Sequence, residues 1–203
     1  MATTGMVHPS FPISAGQLKG RIRGALICGF FGTPWMFYAL YFGRIATPAS
    51  VTIVALFAAA LIAWPLSRLR ALHHLPYTPA DRQYWATIST IYWADFIIEW
   101  LACSVAMIWL AHIRRFDLTP QFFGVIIGLH FLPLGKIFKL PIYYATGMVM
   151  ALGVLAALMI PAGHVRYIVA NCVLGLSLWA TAAAQLCEDW LSSREKEANA
   201  FAG

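Results

Sequence analysis

The chain has 203 residues, of which 61% are hydrophobic and 11% charged, with a mean hydropathy of +0.71. So little polar surface excludes an ordinary water-soluble domain of this length. The formal charge of +6 would suit a nucleic-acid binder, but the basic residues fall between apolar runs and form no stripe with stacking aromatics, so no nucleic-acid partner is expected.

Six apolar stretches follow in order, at residues 22–43, 49–67, 84–113, 120–138, 141–161 and 167–190. Each approaches the ~20 residues that cross ~30 Å of hydrocarbon at ~1.5 Å per residue. No ten-residue segments of alternating polarity are present, and an open sheet edge has no partners in lipid, so the expected fold is all-α. The chain reads as one six-helix transmembrane domain over residues 1–191, followed by a short charged tail, 192–203.

In the first stretch, Gly29-Phe30-Phe31-Gly32-Thr33-Pro34 places a proline, and hence an expected kink, inside a helix. The second ends near Trp64 and Pro65. The loop from Arg70 to Arg82 carries His73-His74, whose nearest acidic neighbour is Asp81, too sparse a set for a metal centre.

The third stretch holds two residues that hydrocarbon disfavours, in Tyr92-Trp93-Ala94-Asp95-Phe96-Ile97-Ile98-Glu99-Trp100. Asp95 and Glu99 are one turn apart, with Cβ atoms ~5–6 Å from one another. Their face also carries Tyr92, Ala102, Cys103 and Ala106, small enough for close helix contact, whereas Trp93 and Trp100 point away towards lipid. A charge at that depth costs ~2.5–3.5 kcal/mol, and a second adds repulsion, so the pair is expected to retain at least one proton at neutral pH. A locked, purely structural pair is the alternative.

In the fourth stretch, Gly128-Leu129-His130-Phe131-Leu132-Pro133 puts a histidine at mid-depth, one residue after the Leu129 carbonyl that Pro133 leaves without its usual N–H. A kink at Pro133 and an approach of His130 to the acids of the third stretch are expected. The G-x-x-x-x-P spacing repeats that of the first stretch, which would suit an inverted three-plus-three repeat, although chance explains a match this short more simply. Asn171 and Gln185 in the sixth stretch read as makers of interhelical hydrogen bonds. Cys28, Cys103, Cys172 and Cys187 read as small buried apolar side chains, and Trp64, Trp85, Trp109 and Trp190 as interfacial anchors.

With six spans, Lys19, Arg21, Arg23, Arg68, Arg70, Arg82, Lys136, Lys139, Arg194 and Lys196 lie on one side, and Arg44, Arg114, Arg115 and Arg166 on the other. The positive-inside rule makes the first side, with both termini, cytoplasmic. The first 20 residues lack the apolar core of a signal peptide, and a bacterial inner membrane is the simplest home.

The run Gly128 to Leu134, with Phe138 and Tyr143-Tyr144, resembles a family of uncharacterised small bacterial integral membrane proteins that carry G-x-H-F-x-P in the fourth of about six spans. The resemblance implies a polytopic helical fold and assigns no activity; His130 and Pro133 match the recurring element.

From these residues the expected function is a proton-linked transporter or permeation pathway for a small solute or cation. Asp95, Glu99, His130 and Tyr92 would exchange protons or touch substrate, and Pro34 and Pro133 would kink the helices. One alternative is a membrane-embedded enzyme using Asp95, Glu99 and His130 as acid and base on a lipid-soluble substrate. The other is a non-catalytic subunit. No cofactor or metal motif is present, and the partners in view are the bilayer, the solute, and a second copy or another membrane protein.

Overall fold

The computed structural model describes the backbone of residues 14–202 and the side chains of residues 14 and 16–188. Among these residues there is no strand. The helices are α1 (Ala15–Phe42), α2 (Pro48–Ala71), α3 (Pro79–His112), α4 (Thr119–Phe138), α5 (Pro141–Ala156) and α6 (His164–Ala202), with single 3₁₀ turns at Phe116–Leu118 and Ala157–Met159. All six helices are long and apolar enough to cross a membrane.

α1, α2 and α3 begin ahead of their apolar stretches because capping residues, which prefer water, set their starts. The Ser14 hydroxyl accepts the Gln17 N–H ahead of α1. Thr47 with Ser50 and Thr78 with Asp81 form reciprocal capping boxes, each followed by proline in the first turn. At the other ends, Arg44, Arg114 and Lys139 take left-handed φ values of 56°, 55° and 54°. Glycine is usual there; a basic side chain adds attraction to the negative end of the helix dipole. Residues 192–202, read as a separate tail, continue α6 as helix. Trp190 lies outside the described side chains.

Asp81 joins two helix starts. It caps Thr78 and also accepts a hydrogen bond from the Ser14 hydroxyl at the head of α1, and it is buried. Asp81→Ala is therefore expected to lower stability by about 1–2 kcal/mol, read from thermal unfolding in micelles; an unchanged melting temperature would show the two caps to be independent.

α6 is the hub of the bundle. Ala170, Leu174, Leu178, Ala182 and Leu186 form its buried stripe, and its most extensive contact is with α1. That approach is close because Gly32 and Gly175 face each other: a Cβ on Gly175 would lie 3.1 Å from the Gly32 carbonyl oxygen. α5 packs on α6, α4 on α5, and α3 on α4, while α2 packs on the far side of α1. At the α4–α5 crossing, a Cβ on Gly128 would stand 2.7 Å from the Gly147 carbonyl oxygen.

α3 is the outlier. It leans on α4 and scarcely meets α1, and Ile97, Ile98, Leu101, Val105 and Ile108 along it are exposed. Pro34, Pro65 and Pro133 lie inside helices that continue through them.

Two expectations for single residues, Asn171 and the cysteines, need correcting. Asn171 donates to the Tyr167 carbonyl of its own helix at 2.7 Å, so it makes an intrahelical bond. Gln185 is no exception to its expectation: its buried amide meets the Tyr143 hydroxyl of α5 across the helix interface, beside Gly24, although the geometry is not well aligned. Cys187 is exposed and only Cys28 is fully buried, because α6 is covered on one face alone at its end.

Candidate functional site

Because α1 and α3 hardly touch, a cavity of about 1080 Å³ lies between them, floored by α4. The floor is one helix stripe of α4, residues Phe123, Ile127, His130, Phe131, Leu134 and Phe138. α1 lines it from Gln17 to Tyr38, a rise of ~32 Å at ~1.5 Å per residue, close to the thickness of the hydrocarbon layer. The walls are chiefly aromatic and aliphatic: Phe31 and Trp35 on α1 stand opposite Tyr92, Phe96 and Trp100 on α3.

His130 sits in this floor between the two acids of α3. Its Nδ1 is 2.9 Å from Asp95 Oδ2, and its Nε2 is 3.4 Å from Glu99 Oε2. The imidazole spans one helical turn of α3, with one nitrogen for each carboxylate. Exposure of the three side chains is low: 10% for His130, 17% for Asp95 and 16% for Glu99. Distance and direction disagree at the first contact. Although Nδ1 and Oδ2 are close, neither makes a well-aligned hydrogen bond, so this is a close polar contact rather than a linear bond.

Such an arrangement can do two things. An imidazole carrying protons on both nitrogens offsets one of two like charges held a turn apart, and either carboxylate can hand a proton through the ring to the other. Glu99 and His130 line the cavity, while Asp95 lies behind them. The ring nitrogens point to opposite sides, so the three groups do not converge on one point. Among the described residues, no three His, Cys, Asp or Glu side chains are grouped to hold a metal ion.

Tyr92 lines the same cavity one turn before Asp95, with its ring stacked on Phe96 at 6.3 Å and edge-on to Phe138. Its hydroxyl makes no hydrogen bond to either acid among the described residues, so the structure brings together Asp95, Glu99 and His130 and leaves Tyr92 as wall. Pro34 faces the cavity from α1; Pro133 is exposed and does not line it.

Trp93 and Trp100 are exposed as expected of lipid-facing indoles, yet both also edge the cavity, which opens on their side of α3. Trp85, read as an interfacial anchor, lines it too, and its indole N–H is buried without a partner. Sequence reasoning also passed over Arg21, Arg23 and Lys139, which line one end. They had been used only as markers of sidedness, and a basic residue near a span end carries the same signature for either role. No protein-family model, curated protein or solved structure matches this chain.

Proposed function

We propose that the bundle admits a bilayer-soluble molecule between α1 and α3 and couples its movement along the groove to proton exchange at Asp95, His130 and Glu99. The observation that carries this reading is the placement of His130 and Glu99 inside an aromatic-walled groove of nearly membrane length. Its walls suit a lipophilic solute better than a hydrated cation, which would need oxygen ligands along its path.

A second reading, an enzyme acting on a lipid-soluble substrate, draws support from Asp95. It backs the His130 imidazole from outside the cavity while Glu99 faces inward, as an orienting residue backs a general base. Both readings require a proton to leave and return to these three groups.

Infrared difference spectra between pH 5 and pH 9 supply the test. Imidazole bands persist in every variant that keeps the six histidines, but protonated-carboxyl bands are expected to change over this range and to disappear in Asp95→Asn, Glu99→Gln. Spectra without such bands, or bands that survive the double variant, would remove the proton-handling site.

The bacterial inner membrane as location and the cytoplasmic side as home of both chain ends belong to the same proposal, supported by the ten-to-four division of Lys and Arg. Reporter fusions at residues 1–20 and 191–203 are expected to report the cytoplasm at both. An extracytoplasmic signal at either would overturn the orientation.

A further inference from the structure

Charge is distributed very unevenly along the groove. At one end it is lined by Arg21 and Arg23 of α1 and by Lys139, the left-handed cap of α4, beside Gln17, Tyr84 and Trp85. Arg21 lies 3.7 Å from Glu188, whereas Arg23 and Lys139 have no ion pair among the described residues. The Trp85 indole N–H at this end also lacks an acceptor. At the other end the lining is Tyr38, Met107, Ile108 and Phe123, with no charge at all. Glu99 is the one acid in the lining, and it faces His130.

We infer that the occupant of the groove is an amphiphile with a single anionic head, held by Arg21, Arg23 and Lys139, with its apolar chain running along the aromatic walls past His130 and Glu99. Charge complementarity carries the choice of occupant. Two cations without an ion pair among the described residues, at the edge of an apolar groove, are matched by one anionic head, and the uncharged far end gives no hold for a second head. The volume of about 1080 Å³ is that of a site for one sizeable molecule. Lys139 is nine residues from His130 on α4, so the part of the chain that meets the proton-handling groups lies ~13 Å from the head along the helix axis. A small cation or a neutral sugar would satisfy neither end.

This inference rests on the reading that the groove takes a bilayer-soluble molecule, and its test is separate from that of proton exchange. The probes are nitroxide-labelled stearate, its methyl ester and the matching labelled stearylamine, added to the full-length protein in phosphatidylcholine nanodiscs. Paramagnetic resonance reads the immobilised fraction, and quenching of Trp35, Trp85, Trp93 and Trp100 reports occupancy of the groove itself. Stearate is expected to bind about tenfold or more tightly than the ester or the amine, a difference of ~1.4 kcal/mol or more. Arg21→Gln, Arg23→Gln, Lys139→Gln together should abolish that preference. The charge-preserving Arg21→Lys, Arg23→Lys, Lys139→Arg variant should keep it, which separates lost charge from lost folding. The unsubstituted protein separates the two readings: stearate preference without any pH-dependent carboxyl band between pH 5 and pH 9 would overturn proton exchange alone.

Equal binding of acid and ester by the unsubstituted protein overturns the inference, as does a preference that persists in the glutamine variant. Exclusion of every probe by a second copy of the chain seated on the groove, seen as a dimer by light scattering, also overturns it.

Discussion

Leucine in place of His130 alone is expected to destabilise the bundle by about 3–5 kcal/mol, while leucine at Asp95, Glu99 and His130 together is expected to leave it as stable as the original or to stabilise it by about 1–4 kcal/mol. The asymmetry follows from what each change leaves behind. Without the imidazole, Oδ2 of Asp95 and Oε2 of Glu99 lose the group that stands 2.9 Å and 3.4 Å from them, in side chains no more than 17% exposed. Two carboxyl groups a turn apart, Glu99 in the cavity wall and Asp95 behind it, are then left poorly solvated with nothing to offset them. With all three replaced, nothing polar is left to solvate and the site becomes ordinary apolar packing. Unfolding in mixed micelles, followed by helical circular dichroism, reads both changes. A single variant as stable as the original would mean that the imidazole offsets no charge. A triple variant as unstable as the single one would mean that the polar cluster is needed for the fold itself.

Valine at Gly147 is expected to be among the most damaging single substitutions on the chain. A Cβ there collides with the Gly128 carbonyl oxygen, and the Phe131 Cβ would be 3.1 Å away. Backbone cannot move aside as a flexible side chain can, so α5 would have to withdraw from α4. Overpacking in a core costs typically ~1–3 kcal/mol, and the backbone obstacle puts Gly147→Val at or beyond the top of that range. Because α4 carries His130, the same displacement should move the imidazole from Asp95 and reduce the pH-dependent infrared bands. Gly153→Ala is the comparison: its Cβ would meet only side-chain atoms of Val173, the nearest at 2.7 Å, and no backbone of α6, so it should be milder on both readouts. Equal effects from the two would remove the special place given to the Gly128–Gly147 crossing.

How much was legible in the sequence differed with the kind of force involved. The six helices could be read because hydrocarbon demands long uninterrupted apolar runs, and nothing else writes that pattern six times. Their starts could not, since Ser14 and Thr78 act through hydrogen bonds just outside those runs, although Thr78-Pro79-Ala80-Asp81 does carry the spacing of a capping box. Asp95, Glu99 and His130 stood out individually because each is expensive in a bilayer, and the i, i+4 spacing put the acids on one face. That the ring lies between them, with one nitrogen for each, depends on the register of α3 against α4, which no local pattern specifies. The groove was hidden for a related reason. It exists because α1 and α3 do not pack on each other, and the failure of two apolar helices to meet has no signature in either.

The dominant contact of the fold, between α1 and α6, joins the first helix to the last, and this dictates an order of assembly. As the chain is synthesised, α1 has only α2 as a substantial neighbour until α6 is made. Its Gly32 surface, shaped for Gly175 and Trp179, meanwhile waits for its partner. Closing a loop of that length carries a conformational penalty that grows only slowly with length, but it must be met before the contact returns anything. α4 and α5, joined by a short turn, can pair at once through Gly128 and Gly147. The bundle therefore matures as a late ring closure around an early hairpin, and the groove beside α1 acquires its second wall and its floor before α1 is finally fixed in place.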